Sequence, residues 1–164
     1  MDIRLNPIAD SHVPMLKGWL RDAHARQWWG DPETQLELIG TAWDTGEAVG
    51  YVASINNVPT AYIQSWVPSE FDEEPWQQEF PHDAVGVDIF ASPRHKTGQG
   101  FGVTIIRSFT ERLRRKGGRN LFVDPDLRNV RAIATYKSAG FVPFAIWKDV
   151  SGGTLLMCYR PPEK

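Results

Sequence analysis

Asp88 stands in the run Val85-Gly86-Val87-Asp88-Ile89-Phe90, a carboxylate with apolar neighbours on both sides. Burying a carboxylate costs free energy unless it meets a cation or hydrogen-bond donors. Such a position suits a proton acceptor for an amine. An amine attacks only when neutral, yet a free alkylamine keeps its proton up to a pKa of about 10. A carboxylate beside it can hold the ammonium and then take the proton, directly or through water. The plain alternative is an edge-strand Asp facing solvent. Just downstream, Lys96-Thr97-Gly98-Gln99-Gly100-Phe101-Gly102 sets glycines at alternate positions ahead of an apolar helical stretch. A strand, a glycine-rich turn and a helix start make a phosphate-binding device. N–H groups at the helix start point outward with partial positive charge, and glycine lets a ligand come close. Arg94, His95 and Lys96 can add charge to a pyrophosphate or a 3′-phosphate. The turn lacks the Gly-Lys-Ser/Thr of a P-loop and the full dinucleotide spacing. A tight strand-to-helix turn without a ligand is the competing reading.

More carboxylates cluster around the same predicted strand ends. Asp124 follows the strand Asn120–Val123, and strand ends on this side are where open α/β sheets present ligands. Glu70, Asp72, Glu73, Glu74 and Glu79 crowd a loop that also holds Trp76, and Asp149 lies in the last hairpin. Carboxylates and aromatic faces together attract a multiply charged amine. Singly, each is more often a solvated surface charge, and their clustering around one predicted cleft carries the argument. Cys158 reads as a small core residue, and the four histidines show no metal spacing, so no metal is expected.

The elements that must position these groups can be read from periodicity. Ile3–Asn6 alternates as a short strand. Asp10 or Ser11 can cap a helix through Val13, Leu16, Trp19 and Leu20. Asp31-Pro32-Glu33 starts another, with Leu36, Ile39 and Trp43 on its apolar face. Residues 50–55 and 60–67 read as strands joined by a turn at Asn56-Asn57-Val58-Pro59, and 84–90 as a third. A helix follows the glycine turn and ends at Gly117-Gly118; Asn129 caps one that stops at Gly140. Residues 142–148 and 154–159 form a terminal hairpin. The order is one strand, two helices, three strands, helix, strand, helix, two strands, a mixed α/β sheet flanked by helices.

The glycine turn and the later segment Asn129-Val130-Arg131-Ala132-Ile133-Ala134-Thr135-Tyr136-Lys137-Ser138-Ala139-Gly140-Phe141 together resemble the GNAT superfamily of N-acetyltransferases. Its phosphate segment reads Gln/Arg-x-x-Gly-x-Gly/Ala, and its following helix reads Asn-x-x-Ala-x-x-x-Tyr-x-x-x-Gly-Phe. The chain departs at Thr97, where the family usually has Arg or Gln, and Lys96 or Gln99 can do that work. The resemblance implies a mixed, mostly antiparallel sheet with a splayed parallel strand pair. It also implies acetyl-CoA as co-substrate. Its pyrophosphate would lie on the amides from Lys96 to Gly102, and its pantetheine between the strands holding Ile89-Phe90 and Asn120–Val123. Asn129 would hydrogen-bond that arm, and Tyr136 would lie near the thioester sulfur. A phenol of pKa about 10 can protonate a leaving thiolate of pKa about 8.5 only in a closely coupled step.

Within that superfamily the match narrows. Trp28-Trp29-Gly30 after His24, the Trp76-to-Asp88 spacing, Gly86-Val87-Asp88, and Asp124-Pro125 with Asn129 and Tyr136 resemble aminoglycoside 6′-N-acetyltransferases. That resemblance implies Asp88 at the acceptor amine, Asp124 on another amine and Trp76 against the sugar, with Glu73 and Trp29 also at the substrate. The family often has an acidic residue in the last hairpin turn, where this chain has Ser151. A GNAT acting on a siderophore hydroxylamine or lysine-like amine is the nearest alternative, and a non-catalytic acyl-CoA sensor another. The abundance of carboxylates favours a polycation over a monoamine.

Bulk properties agree with a small-molecule enzyme. The chain has 164 residues, 41% hydrophobic and 23% charged, enough for one domain with its own core. Its net charge of −2 speaks against nucleic acid. A lone cysteine cannot form an internal disulfide, and no signal-like core or run of about 18 apolar residues occurs, so no membrane association is expected. The expectation is one GNAT domain over 1–164, a cytoplasmic monomer or homodimer.

Overall fold

The computed structural model describes residues 1–68, 74–95 and 99–161. Among them, seven strands form a sheet in the order β1-β2-β3-β4-β5-β7-β6. The strands are β1 Ile3–Pro7, β2 Ala48–Ile55, β3 Val58–Trp66, β4 Ala84–Ala91, β5 Asn120–Val123, β6 Phe141–Asp149 and β7 Gly152–Tyr159. The helices are α1 Val13–Leu20, α2 Ala23–Trp29, α3 Pro32–Thr45, α4 Phe101–Arg115 and α5 Val130–Ala139. β1–β2, β2–β3, β5–β7 and β6–β7 pair antiparallel. β4 and β5 pair parallel over Ala84↔Asn120, Val85↔Leu121 and Gly86↔Phe122, and β4 runs on to Ala91. The architecture is the mixed sheet with flanking helices that periodicity predicts, mostly antiparallel as the family resemblance implies.

The chain divides into two compact units: Met1–Trp66 with Asp88–Phe101, and Val67–Val87 with Gly102–Lys164. In the first unit, α1 and α3 lay their apolar stripes on β2 and β3. Leu16, Trp19, Leu20, Ile39, Val52, Tyr62 and Phe90 are buried together there. Each large apolar side chain contributes roughly 1.5–3 kcal/mol by leaving water. In the second unit the buried set includes Ile105, Ile106 and Phe109 of α4, Leu121 and Phe122 of β5, and Leu156 and Met157 of β7.

Several local details differ from the sequence reading. Three helices, not two, precede β2, because the Asp22 side chain accepts the His24 N–H at 3.2 Å and Gly30, at φ +88°, ends the extra helix. Asp10 and Ser11 do not cap α1; they lie in a 3-10 turn. There the Ala9 N–H donates to His12 Nδ1 at 3.0 Å, and Pro14, lacking an N–H, fits the first turn of α1. The β2–β3 turn is Asn56-Asn57 alone. Both have positive φ, 50° and 65°, as a two-residue type I′ turn requires, so β3 already begins at Val58. Pro59 is accommodated beside the register shift at Ala53/Ser54.

Other punctuation falls where the residue types place it. Asp31 Oδ2 accepts from the Thr34 N–H at 2.9 Å, with Pro32 at the first helical position of α3. α4 closes with Gly118 N–H donating to Leu113 O at 2.9 Å around Gly117 at φ +97°. Replacing Asp31 with Ala should lower the unfolding free energy by about 1 kcal/mol. Urea denaturation checks this.

Candidate active site

In the first unit, alternation along β3 puts Tyr62, Gln64 and Trp66 on one face. Gln64 Nε2 donates to Asp88 Oδ2 at 2.9 Å, and Tyr62 Oη donates to Gln64 Oε1 at 2.8 Å. Asp88 is half-buried on β4. Desolvation raises its carboxyl, the Gln64 amide and the Trp66 side chain pull part of that rise back, and the pKa settles at about 6. Burial, reinforced by the negative charge of Asp88, raises the Tyr62 phenol far above its usual value, so it stays a neutral donor. Gly50 faces Gln64 in the β2–β3 register, and a Cβ there would come within 2.5 Å of Tyr62 Oη. The Phe90 ring stacks on Tyr62 at 5.1 Å, and Trp29 meets Phe90 edge-on at 4.9 Å. Trp29 is therefore a half-buried wall of this aromatic group, and the Phe90 ring belongs to the core. The half-buried Ile89 falls between these face-sharing residues in the strand alternation.

Gln64, Tyr62 and Trp66 were not singled out from the sequence. The available signal was a lone polar residue between aromatics at i−2 and i+2 on a strand, Tyr62-Ile63-Gln64-Ser65-Trp66.

After β4, the loop is tied down by buried Ser92. Its N–H donates to Thr60 O at 2.8 Å, its carbonyl accepts the His95 N–H at 3.1 Å, and its hydroxyl accepts the Arg94 N–H at 3.4 Å. The His95 ring packs edge-on against Phe101 at 5.3 Å. Arg94, Gln99 and Gly100 are exposed. Gly100 has φ +74°, a left-handed conformation that favours glycine, and the space where its Cβ would stand is open. Lys96, Thr97 and Gly98, expected at the cofactor, lie outside the described residues, as does Glu73.

In the second unit, Gly102 has a packing role: a Cβ there would meet Thr135 Cγ2 at 3.3 Å, so its absence lets α4 lie close on α5. Asn129 Oδ1 accepts the Ala132 N–H at 3.1 Å and caps α5, which leaves its amide nitrogen as the group to offer a ligand. Tyr136 is buried at 7% exposure, its ring edge-on to Phe141 at 5.9 Å. The half-buried Asp124 opens a loop pinned to β7 by Leu155 N–H to Pro125 O (2.9 Å) and Leu127 N–H to Gly153 O (3.0 Å). Beside it, Arg128 binds both Asp126 oxygens at 3.0 and 2.8 Å and holds that carboxyl below the usual range.

Two acidic-pocket expectations meet specific geometry. Trp76 is only 3% exposed, set edge-on to Phe80 and Phe122. Its ring thus fills an aromatic cluster rather than standing open to a sugar. Asp149 Oδ1 accepts from Ser151 N, Ser151 Oγ and Gly152 N at 2.8, 2.6 and 3.0 Å. That carboxylate holds the β6–β7 turn. Among the described residues no three His, Cys, Asp or Glu side chains are grouped as a metal site needs.

Comparison with known proteins places this geometry. The model of the acetyltransferase (GNAT) domain matches residues 9–148. Aminoglycoside N(6′)-acetyltransferase type 1 of Klebsiella pneumoniae is 26% identical over 147 residues, 85% of this chain and 73% of that protein. The structure of AAC(6′)-Ib in complex with paromomycin and acetyl-CoA superposes with a TM-score of 0.86 at 24% identity, covering 97% of this chain and 93% of that one. AAC(6′)-Ib in complex with coenzyme A and kanamycin gives a TM-score of 0.85 at 24% identity, covering 96% and 94%. At these identities the structural likeness establishes the fold.

The raised pKa of Asp88 has a consequence for stability. The folded chain binds this proton more tightly than the unfolded chain. The carboxyl's unfavourable contribution is therefore absent below the unfolded-state pKa and fully developed once pH passes about 6. Asp88→Asn should raise the unfolding free energy at pH 8 by roughly 3 kcal/mol, with the gain fading as pH falls toward about 4. Urea denaturation across that pH range measures it.

Proposed function

The chain belongs to the GNAT family of acetyltransferases, and from that premise we propose that it moves an acetyl group from acetyl-CoA to a primary amine of an aminoglycoside-like polycation. The acceptor is the 6′-amino group, and the amine attacks directly, without a covalent enzyme intermediate. The observation that carries this reading is Asp88. It is a desolvated carboxyl of pKa about 6, oriented by neutral donors on the neighbouring strand, and placed just before a glycine turn that opens a long helix.

Acetyl-CoA supplies the acetyl group as a thioester, a carbonyl with a good leaving group. The residues present fit its phosphates. Gly100 adopts a positive φ with open space about it, Arg94 is exposed nearby in sequence, and the first-turn N–H groups of a helix as long as α4 favour anions. Lys96, Thr97, Gly98, Gln99, Phe101 and Gly102 complete the proposed cradle, Ile89 and Phe90 contribute backbone, and the Asn129 amide nitrogen donates to the pantetheine arm.

At pH 7–8 Asp88 is ionised and an alkylammonium of pKa about 10 is protonated, so the two attract. Complete proton transfer to a carboxyl of pKa about 6 is uphill by roughly four pH units, or about 5 kcal/mol. The ammonium therefore loses one proton to solvent before attack, and Asp88 takes a second from the nitrogen as the new C–N bond forms, when that nitrogen becomes far more acidic. An ordinary carboxylate would be weaker as a base by the amount of the pKa rise. Tyr136 Oη passes its proton to the departing sulfur. Asp124 and Glu73 hold further ammonium groups. The enzyme acts as one GNAT domain, a monomer or homodimer, in the cytoplasm. No helix among the described residues is long and apolar enough to cross a membrane.

A thiol-release assay with acetyl-CoA tests the proposal. Kanamycin and tobramycin should react, and analogues with a 6′-hydroxyl should not react at that position. Spermidine, lysine and N6-hydroxylysine should turn over slowly. Equal rates on every amine would defeat the aminoglycoside assignment. Asp88→Asn should lose about 10²–10⁴-fold in kcat while retaining acetyl-CoA binding. Wild-type kcat/KM should rise with pH through a limb near 6.

A further inference from the structure

Three residues outside the proposed chemistry converge on Asp88. Gln64 sits between two partners with its amide fixed in one orientation, because a carboxylate accepts only from its nitrogen. Its carbonyl must then face Tyr62, and the phenol answers as donor. The Tyr62 ring is clamped, stacked on Phe90 and buried in the α1–α3 core. The hydroxyl has its place because Gly50, across the β2–β3 register, carries no Cβ to occupy it. A one-way series of hydrogen bonds runs from a rigid core residue to the carboxyl, each polarising the next.

We propose that Gln64 is a positioning residue for acetyl transfer. Clamped by the Tyr62 hydroxyl, it holds the Asp88 carboxylate in the rotamer that meets the amine, and Gly50 keeps the space that Tyr62 needs. This rests on Asp88 being the proton acceptor. Gln64 touches neither substrate nor donor in this role; it acts through Asp88. Its hydrogen bond favours the ionised carboxyl and opposes the effect of burial. Of the groups acting on Asp88 from β3, Tyr62 is titratable but stays protonated, and Gln64 and Trp66 are neutral.

The test compares Gln64→Leu, Tyr62→Phe and Gly50→Ala with Asp88→Asn, reading kcat/KM for the amine against pH and KM for acetyl-CoA. Loss of a donor to a charged carboxylate should move the acid limb of Gln64→Leu upward by about one pH unit. Activity should fall about fivefold at pH 6 and recover by pH 8.5, with the acetyl-CoA KM unchanged. Tyr62→Phe keeps the stacked ring and removes only the hydroxyl, so it should shift the limb the same way by a smaller amount, as should Gly50→Ala. Tyr62→Phe keeps the test decisive if Gln64→Leu folds poorly. An acid limb at the wild-type position in Gln64→Leu and Tyr62→Phe, with activity lost equally at every pH or not at all, would overturn the positioning role. Retained turnover in Asp88→Asn would instead overturn the proton-acceptor reading beneath it.

Discussion

The tension between desolvation and hydrogen bonding at one carboxyl organises the first unit of this protein. β4 carries Asp88 next to apolar residues, where an isolated carboxylate is unfavourable. β3 answers with an amide and an indole on the facing side. The outcome is neither a solvated surface Asp nor a permanently protonated core acid. It is a group that ionises near pH 6 and stays ionised at neutral pH. A carboxyl fully paired by a cation would be too weak a base, and one buried without donors would remain neutral. Two neutral donors set the value between those extremes, and the rest of the unit serves to hold them still.

That holding is done by packing. Tyr62 belongs to the same buried cluster as Leu16, Leu20 and Ile39, so the helices that fill the core also clamp the outermost member of the hydrogen-bonded series. Phe90, two residues beyond Asp88, closes the cluster from β4 and takes Trp29 against its edge. The hydrogen-bonded series that ends at Asp88 and the stability of the core thus share side chains. The price is local: an ionised Asp88 destabilises the fold above pH 6, which the surrounding apolar burial must exceed.

The second unit shows the same economy. Asn129 uses its side-chain oxygen to cap the helix. Asp126 and Asp149 are committed to local turns through Arg128 and Ser151, so much of the acidity visible around the strand ends is structural. Gly102 matters because α4 must lie close on Thr135, and Gly100 because the chain turns left-handed as α4 begins.

Local rules recovered much from the residues alone. Alternation placed the strands, and Asp31, Asn129, Gly117 and Gly140 marked helix ends because caps act within four residues of themselves. The glycine turn and the carboxylate in an apolar strand were legible for the same reason. What depended on chain segments meeting was not. Gln64 and Asp88 are 24 positions apart, and no periodicity on either strand says that they touch. The burial of Trp76 depends on Phe80 and Phe122 arriving from elsewhere in its unit. Sequence by itself determined which groups could do acid–base chemistry and which elements carry them. Tertiary structure decided which of those groups are desolvated, what faces them and how strongly they hold a proton. Burial and cross-strand pairing are properties of the assembled sheet, not of any stretch within it.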